Sequence, residues 1–355
     1  MPEVFILSAV RTPVGKGKPN GKLASISPVE LSVLVMREAL ERANVTPSQV
    51  EDVIWGCVTQ IGDQGANLAR LAVLKAEFPP QIPAVTINRM CGSSQQAVHF
   101  AAQAILAGDM DVVLAGGTEM MSHQPIGADW PERWPEDFPY KLVHQGISAE
   151  MMASKWGLGR EELDDFGYRS HLRAMLAIQE GRFESQISPV VLQNGEVVVH
   201  DEGVRIPPDR AKMDELSPVF KTDGVITAGN ASQVSDGAAA FLVASEGYLN
   251  RHKLEPLAKI VSRSVVGSDP VLMLDGPIPA TKKVLDQAGL DLGDMDVIEI
   301  NEAFASVVLA WENELKPDME RVNPNGGAIA LGHPLGATGA VLMTKLVHEL
   351  KRVGG

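Results

Sequence analysis

The chain alternates between two hydrophobic periods. "EVFILSAV" (3–10) is a nearly unbroken apolar run and reads as a buried strand. "PVELSVLVMREALERANV" (28–45) carries apolar residues at helical spacing and stops at Asn44. "VEDVIWGCV" (50–58) reads as a second strand, "QQAVHFAAQAILAG" (95–108) as a helix closed by Gly108, and "MDVVLAGGTEMM" (110–121) as a strand running into a loop. Strand and helix in alternation predict a mostly parallel sheet covered on both faces. Residues 119–234 break the pattern. "ADWPERWPEDFPY" (128–140) reads as a loop or lid, and "REELDDFGYRSHLRAMLAIQEG" (160–181) as a long helix. Layered order returns after residue 235 with "GAAAFLVASE", "AKIVSRSVVG", "DMDVIEINEAF" and the helical "AVLMTKLVHELKR".

Two distant stretches resemble each other. "REALERANVTPSQVEDVIWG" (37–56) and "KKVLDQAGLDLGDMDVIEIN" (282–301) share a helix, a small-residue stop, an acidic turn and a "DVI" strand. This suggests two copies of one α/β unit with 119–234 inserted between them.

Composition narrows the functional classes. The chain has 355 residues, enough for two domains or one large α/β unit. A net charge of −14 argues against nucleic acid and anionic membrane as partners, while local arginines can still hold a small anion. Two cysteines make neither a disulfide framework nor a CxxC metal or redox pair, so a reducing, cytoplasmic setting is expected. The start, "MPEVFILSAVRTP", lacks the basic region of a signal peptide, and no apolar run is long enough to span a bilayer.

Three residues could carry chemistry. Cys91, in "NRMCGSSQQAV", stands at the mouth of a helix behind Gly92. There the unpaired N–H groups and the helix dipole would favour a thiolate. The alternative is a buried structural thiol, a reading that suits Cys57. His333 lies in the glycine-rich "NPNGGAIALGHPLGATGA" (323–340). The stretch is no phosphate loop, because a histidine and a proline stand where Lys and Ser/Thr are needed. Pro334 biases His333 to an extended backbone, and a histidine so held is a candidate general base; a core or surface histidine is the alternative. Asn301, in "EINEAFA", would sit at a strand's end, where it could hold a water or donate to an oxyanion, or simply begin a helix.

Taken together, "CGSSQQAV", "NEAFAS" and "NGGAIALGHPLGATGA", in this order, resemble thiolase motifs. "SAVRTPVGKGKPNGKL", "AGGTEMMS" and "TAGNASQVSDGAAA" extend the resemblance from residue 4 to the end of the chain. It implies an α/β thiolase fold: two duplicated βαβαβαββ halves in a five-layered α-β-α-β-α sandwich with an inserted loop domain. The N-terminal half would be 1–118 with 235–262, the coenzyme-A-contacting loop domain 119–234, and the C-terminal half 263–355. Cys91 matches the acyl-carrying nucleophile, His333 its base, and Asn301 the residue whose water completes an oxyanion hole with His333. The Cys91 backbone N–H would serve a second hole. Ser232 matches the pantetheine-contacting serine, with Ala228, Phe220 and Leu216 as apolar tunnel residues. Arg205 matches an arginine near the adenine, His144 a histidine lining the pocket, and Phe304 an aromatic residue near the pantetheine end. The expected partners are acyl-CoA and coenzyme A, the latter as a substrate, with no metal or redox cofactor and a homodimer or homotetramer as the assembly.

The sequence departs from the family in two places. Gln145 stands where acetoacetyl-forming thiolases usually carry methionine, so with the Trp/Pro-rich loop a bulkier acyl group is expected. The residues also stop at "KRVGG", ahead of the family's Cys-x-Gly-Gly segment. A polypeptide of these residues alone is expected to acylate Cys91 slowly and not to sustain turnover. Two other readings stay open. A ketoacyl synthase would share the fold and the Cys/His chemistry but take an acyl carrier protein. A non-catalytic acyl-CoA-binding protein would not acylate Cys91.

Overall fold

The structure is a computed structural model that describes residues 3–355. The chain opens with β1 (Val4–Arg11) and a short β2 (Gly15–Lys16), then α1 (Pro28–Arg42). Ser27 and Glu30 form a capping box at the start of α1, with Pro28 in its first turn. β3 (Asp52–Gly56), α2 (Leu68–Lys75), β4 (Ala84–Ile87), α3 (Ser93–Ala107) and β5 (Val112–Met120) follow. α3 ends as the sequence predicts, on Gly108 at φ 81°. The segment that breaks the pattern forms α4 (Gln145–Trp156), α5 (Arg160–Gln179), a small hairpin of β6 (Val190–Val191) and β7 (Val197–Val198), and α6 (Arg210–Asp214). β8 (Ser235–Ser245), α7 (Glu246–His252) and β9 (Ala258–Lys259) return to the sheet. α8 (Pro277–Ala288), α9 (Ala305–Leu315), α10 (Ala328–Leu331) and α11 (Thr338–Val353) complete the chain.

The main sheet has the order β4-β3-β5-β8-β1-β9. It is mixed rather than mostly parallel. β4, β3 and β5 run parallel, but β8 runs antiparallel to both β5 and β1, and β9 antiparallel to β1. The alternation fails here because β8 is reached through the long 121–234 excursion, not through a crossover helix. β8 is still buried on both faces. Ala238, Ala240, Leu242 and Ala244 join the core beneath α1, and Ala239, Phe241 and Val243 the core shared with α3 and α11.

That second core positions the site. α3 and α11 pack against each other and against β8. The turn before α3 carries Cys91 and the turn before α11 carries His333, so the two turns meet at one end of the sheet.

Two predicted strands form only in part. In "AKIVSRSVVG" only Ala258 and Lys259 join a ladder, and Val261 is exposed. "DMDVIEIN" pairs at a single bridge, Ile298 with Val322. Both are β-branched and apolar, but strand propensity becomes a strand only where a partner completes the ladder. The internal sequence match does repeat in local geometry. Each copy runs helix, left-handed stop (Asn44 at φ 52°, Gly289 at φ 67°), 3₁₀ turn (Pro47–Gln49, Leu292–Asp294) and extended chain. Among the described residues no helix is long and apolar enough to cross a membrane.

Candidate active site

Cys91 sits on a tight strand–turn–helix elbow. Met90 just before it adopts φ 48°, uncommon for a residue with a side chain, and its N–H donates to Asn88 Oδ1 at 2.8 Å. Ser93 closes the turn. Its hydroxyl donates to the Met90 carbonyl (2.6 Å) and accepts the Arg89 N–H (2.8 Å). Gly92 caps α3, which leaves Cys91 immediately ahead of the cap, packed against Val58, Met121 and Leu335.

His333 is pinned from both sides. Its backbone N–H faces the Gln233 carbonyl (3.1 Å) and Ser235 Oγ (3.0 Å). Gly332 before it has φ 109°, and a Cβ there would stand 2.4 Å from Ser235 Oγ, so only glycine fits. On the ring, Nε2 lies 3.2 Å from Cys91 Sγ and Nδ1 2.6 Å from Thr338 Oγ1. The Thr338 hydroxyl donates its one hydrogen to the Pro334 carbonyl at 2.8 Å. Toward His333 it therefore accepts, which places the ring proton on Nδ1 and the free lone pair of Nε2 toward sulfur. This is the tautomer a general base needs. The sequence reading missed Thr338. Its signal was the short reach of "HPLGAT", a hydroxyl five residues past the histidine within one turn.

Asn301 completes the group. Its Nδ2 lies 3.5 Å from His333 Nε2, and its buried Oδ1 has no protein partner. Glu302 beside it is buried and accepts from Ser170 Oγ (2.6 Å), Asn323 Nδ2 (2.9 Å) and the Ile329 N–H (3.2 Å). It thus ties the Asn301 turn to the segment leading into His333.

Electrostatics correct one expectation. The helix dipole would lower the Cys91 pKa, but burial dominates and pushes the thiol up to about 12. Burial pushes His333 the other way, down to about 4. The resting pair is therefore neutral thiol and neutral imidazole, and the proton must move as the sulfur attacks. Cys57 is fully buried, its thiol pushed up further by desolvation and then by Glu119, which leaves Cys91 as the accessible thiol. Thiolate absorbance near the far ultraviolet, taken as the difference between wild type and Cys91→Ser, is expected to be flat through neutral pH and to rise only in strongly alkaline solution. A plateau already present at pH 7 would show a preformed ion pair instead.

Of the residues matched to coenzyme A, His144, Phe220, Phe304 and Ser232 come together. His144 caps α4 and accepts the Gly146 N–H on Nδ1 (3.0 Å), and its ring stacks on Phe220 with centroids 5.2 Å apart. Phe220 meets Phe304 edge-on at 6.0 Å. Ser232 donates its N–H to the Ala303 carbonyl at 2.9 Å, and Ala231 bridges Phe304, so this strip runs beside the Asn301 turn. Leu216 is half-buried and Ala228 exposed. Leu216 Cδ1 lies beneath Gly229, next to Ala228 in the chain. Arg205 stands apart. Its backbone N–H is held by His171 Nδ1 (3.2 Å) and its side chain is exposed.

Family comparison decides the lineage. The model of the thiolase N-terminal domain matches residues 4–247, and that of the thiolase C-terminal domain residues 254–355. The chain belongs to the thiolase family. It is 47% identical to "Steroid 3-ketoacyl-CoA thiolase FadA6" of Mycobacterium tuberculosis, over 100% of this chain and 89% of that protein. It is 42% identical to an acetyl-CoA acetyltransferase of Syntrophomonas wolfei, over 99% and 93%. Among solved structures, the Bacillus anthracis acetyl-CoA acetyltransferase superposes with a TM-score of 0.92 at 41% identity, covering 100% of this chain and 93% of that one. This thiolase therefore has the thiolase fold expected from its motifs.

Proposed function

We propose that this thiolase cleaves 3-ketoacyl-CoA with coenzyme A, or runs the reverse condensation, through an acyl thioester on Cys91. The observation that carries the reading is the short Cys91–His333 contact with the Nδ1 tautomer fixed by Thr338. In cleavage, His333 takes the thiol proton as Cys91 attacks the 3-keto carbon. The bond between C2 and C3 breaks, and the enolate of acetyl-CoA leaves toward His333 and Asn301, taking at C2 the proton that His333 holds. A second coenzyme A thiol, giving its proton to His333, then attacks the thioester and takes the acyl group, and His333 returns that proton to the departing Cys91 thiolate. A thioester keeps the acyl group activated between the two steps. Coenzyme A is a substrate, and the chemistry calls for no metal or redox cofactor. We place the protein in the cytoplasm, in fatty-acid or related β-oxidation, as a homodimer or homotetramer. Its two free cysteines suit a reducing compartment.

For the acyl group we propose one larger than acetoacetyl. Gln145 opens α4 directly beside His144, and the loop ahead of it exposes Trp130, Trp134 and Tyr140. The Mycobacterium relative is named a steroid 3-ketoacyl-CoA thiolase, which agrees with a bulky substrate. The test is kcat/KM across acetoacetyl-CoA, long-chain and ring-bearing 3-ketoacyl-CoAs. The bulkier substrates are expected to win, and a clear advantage for acetoacetyl-CoA would overturn this choice.

A further inference from the structure

Glu119 is a fully buried carboxylate near the end of β5, the one charged residue of that strand. Burying a carboxylate is costly unless its hydrogen bonds are replaced. Here four neutral donors replace them. Oε2 accepts the N–H groups of Val58 (2.8 Å) and Gly336 (2.8 Å), and Oε1 accepts the Thr59 N–H (3.1 Å) and Gln64 Nε2 (3.1 Å). Each donor leads somewhere. Gly336 belongs to the turn that begins at His333, and a Cβ on it would stand 2.7 Å from both Cys57 Cα and Glu119 Oε2. Val58 offers its carbonyl to Asn88 Nδ2 (3.0 Å), and Asn88 holds the N–H of Met90, next to Cys91. One carboxylate thus joins the turn carrying the base to the turn carrying the thiol.

We propose that Glu119 is a positioning residue that sets the Cys91–His333 spacing through the Gly336 and Val58 N–H groups. Its one sulfur contact is the distant Cys57 Sγ at 4.0 Å, and it acts on Cys91 and the His333 ring only through the backbone turns that carry them. The inference rests on the Cys91–His333 assignment made under the proposed function.

A double-mutant cycle tests it. Glu119→Gln keeps the side-chain shape but presents an amide nitrogen to two of the four donors. Single-turnover acylation of Cys91 by acetyl-CoA is followed by mass spectrometry in wild type, Glu119→Gln, His333→Ala and the double variant. Misplacement on the scale of an ångström costs up to about 10²-fold. Glu119→Gln is therefore expected to slow acylation about 10- to 10²-fold when His333 is present, and by less than about twofold when it is absent. Equal slowing in both backgrounds, or none in wild type, would overturn the proposal. If Glu119→Gln does not fold, Glu119→Asp, which withdraws both oxygens by one methylene, goes through the same cycle with the same criterion. Failure of the wild type itself to acylate Cys91 would bring down the Cys91–His333 assignment, and this inference with it.

Discussion

Replacing His333 by alanine is expected to slow acylation of Cys91 by a 3-ketoacyl-CoA about 10²–10⁴-fold while leaving the half-saturating acyl-CoA concentration nearly unchanged. The reason lies in the resting protonation. Burial holds the Cys91 thiol up at about 12, so almost no thiolate exists at neutral pH without a base in contact. His333 Nε2 is that contact, at 3.2 Å. The other polar groups nearby cannot replace it. Asn301 faces the site with its amide nitrogen, a donor, and the Thr338 hydroxyl is already engaged with Pro334. The packed rings of His144, Phe220 and Phe304, where the acyl-CoA is proposed to lie, stand on other elements and should survive the change. Single-turnover acylation over a range of concentrations of one 3-ketoacyl-CoA gives both parameters. A loss below about tenfold would mean that another group takes the proton.

The largest stability effect is expected from Arg11→Ala. Arg11 ends β1 and is fully buried. Its guanidinium makes a bidentate pair with Asp201 (2.6 and 3.0 Å), donates from Nε to Gln186 Oε1 (2.7 Å) and stacks 5.1 Å from the Phe183 ring centroid. Asp201 is buried as well and accepts the Val14 N–H at 2.8 Å. The pair clamps the 183–201 segment onto the sheet. Truncating Arg11 leaves a buried carboxylate with no cation, a situation that costs about 3–5 kcal/mol. Against a total stability of about 5–15 kcal/mol, that is a large share of what holds the fold. Urea denaturation gives the loss directly. Arg11→Met combined with Asp201→Leu, which removes both charges, should recover much of it. A single-variant loss under about 1 kcal/mol would show that the pair contributes little.

How far the sequence could be read depends on what each feature rests on. That Cys91, Asn301 and His333 come together could be anticipated because each sits in a short motif that resembles the family's, with Gly92 and Pro334 shaping the backbone beside two of them. α3 was legible because its apolar spacing and Gly108 agree. The direction of β8 was not, since pairing across the 121–234 excursion leaves no local trace. The thiol pKa was misread because the helix terminus is visible in sequence while the burial around Cys91 by Val58, Met121 and Leu335 is assembled from three distant segments. Thr338 and Glu119 were passed over for the same reason. Their roles exist only once the turns before α3 and α11 meet. "AKIVSRSVVG" shows the converse, strand composition without a ladder to join.

The most direct test of the central claim is the covalent intermediate. The protein is mixed with a 3-ketoacyl-CoA in the absence of free coenzyme A, quenched in acid and digested for peptide mass spectrometry. The acyl mass is expected on the peptide containing Cys91 alone, to disappear on adding coenzyme A, and to be absent in Cys91→Ser. Thiolysis that proceeds with Cys91 unmodified, or an acyl group found on Cys57, would contradict the account.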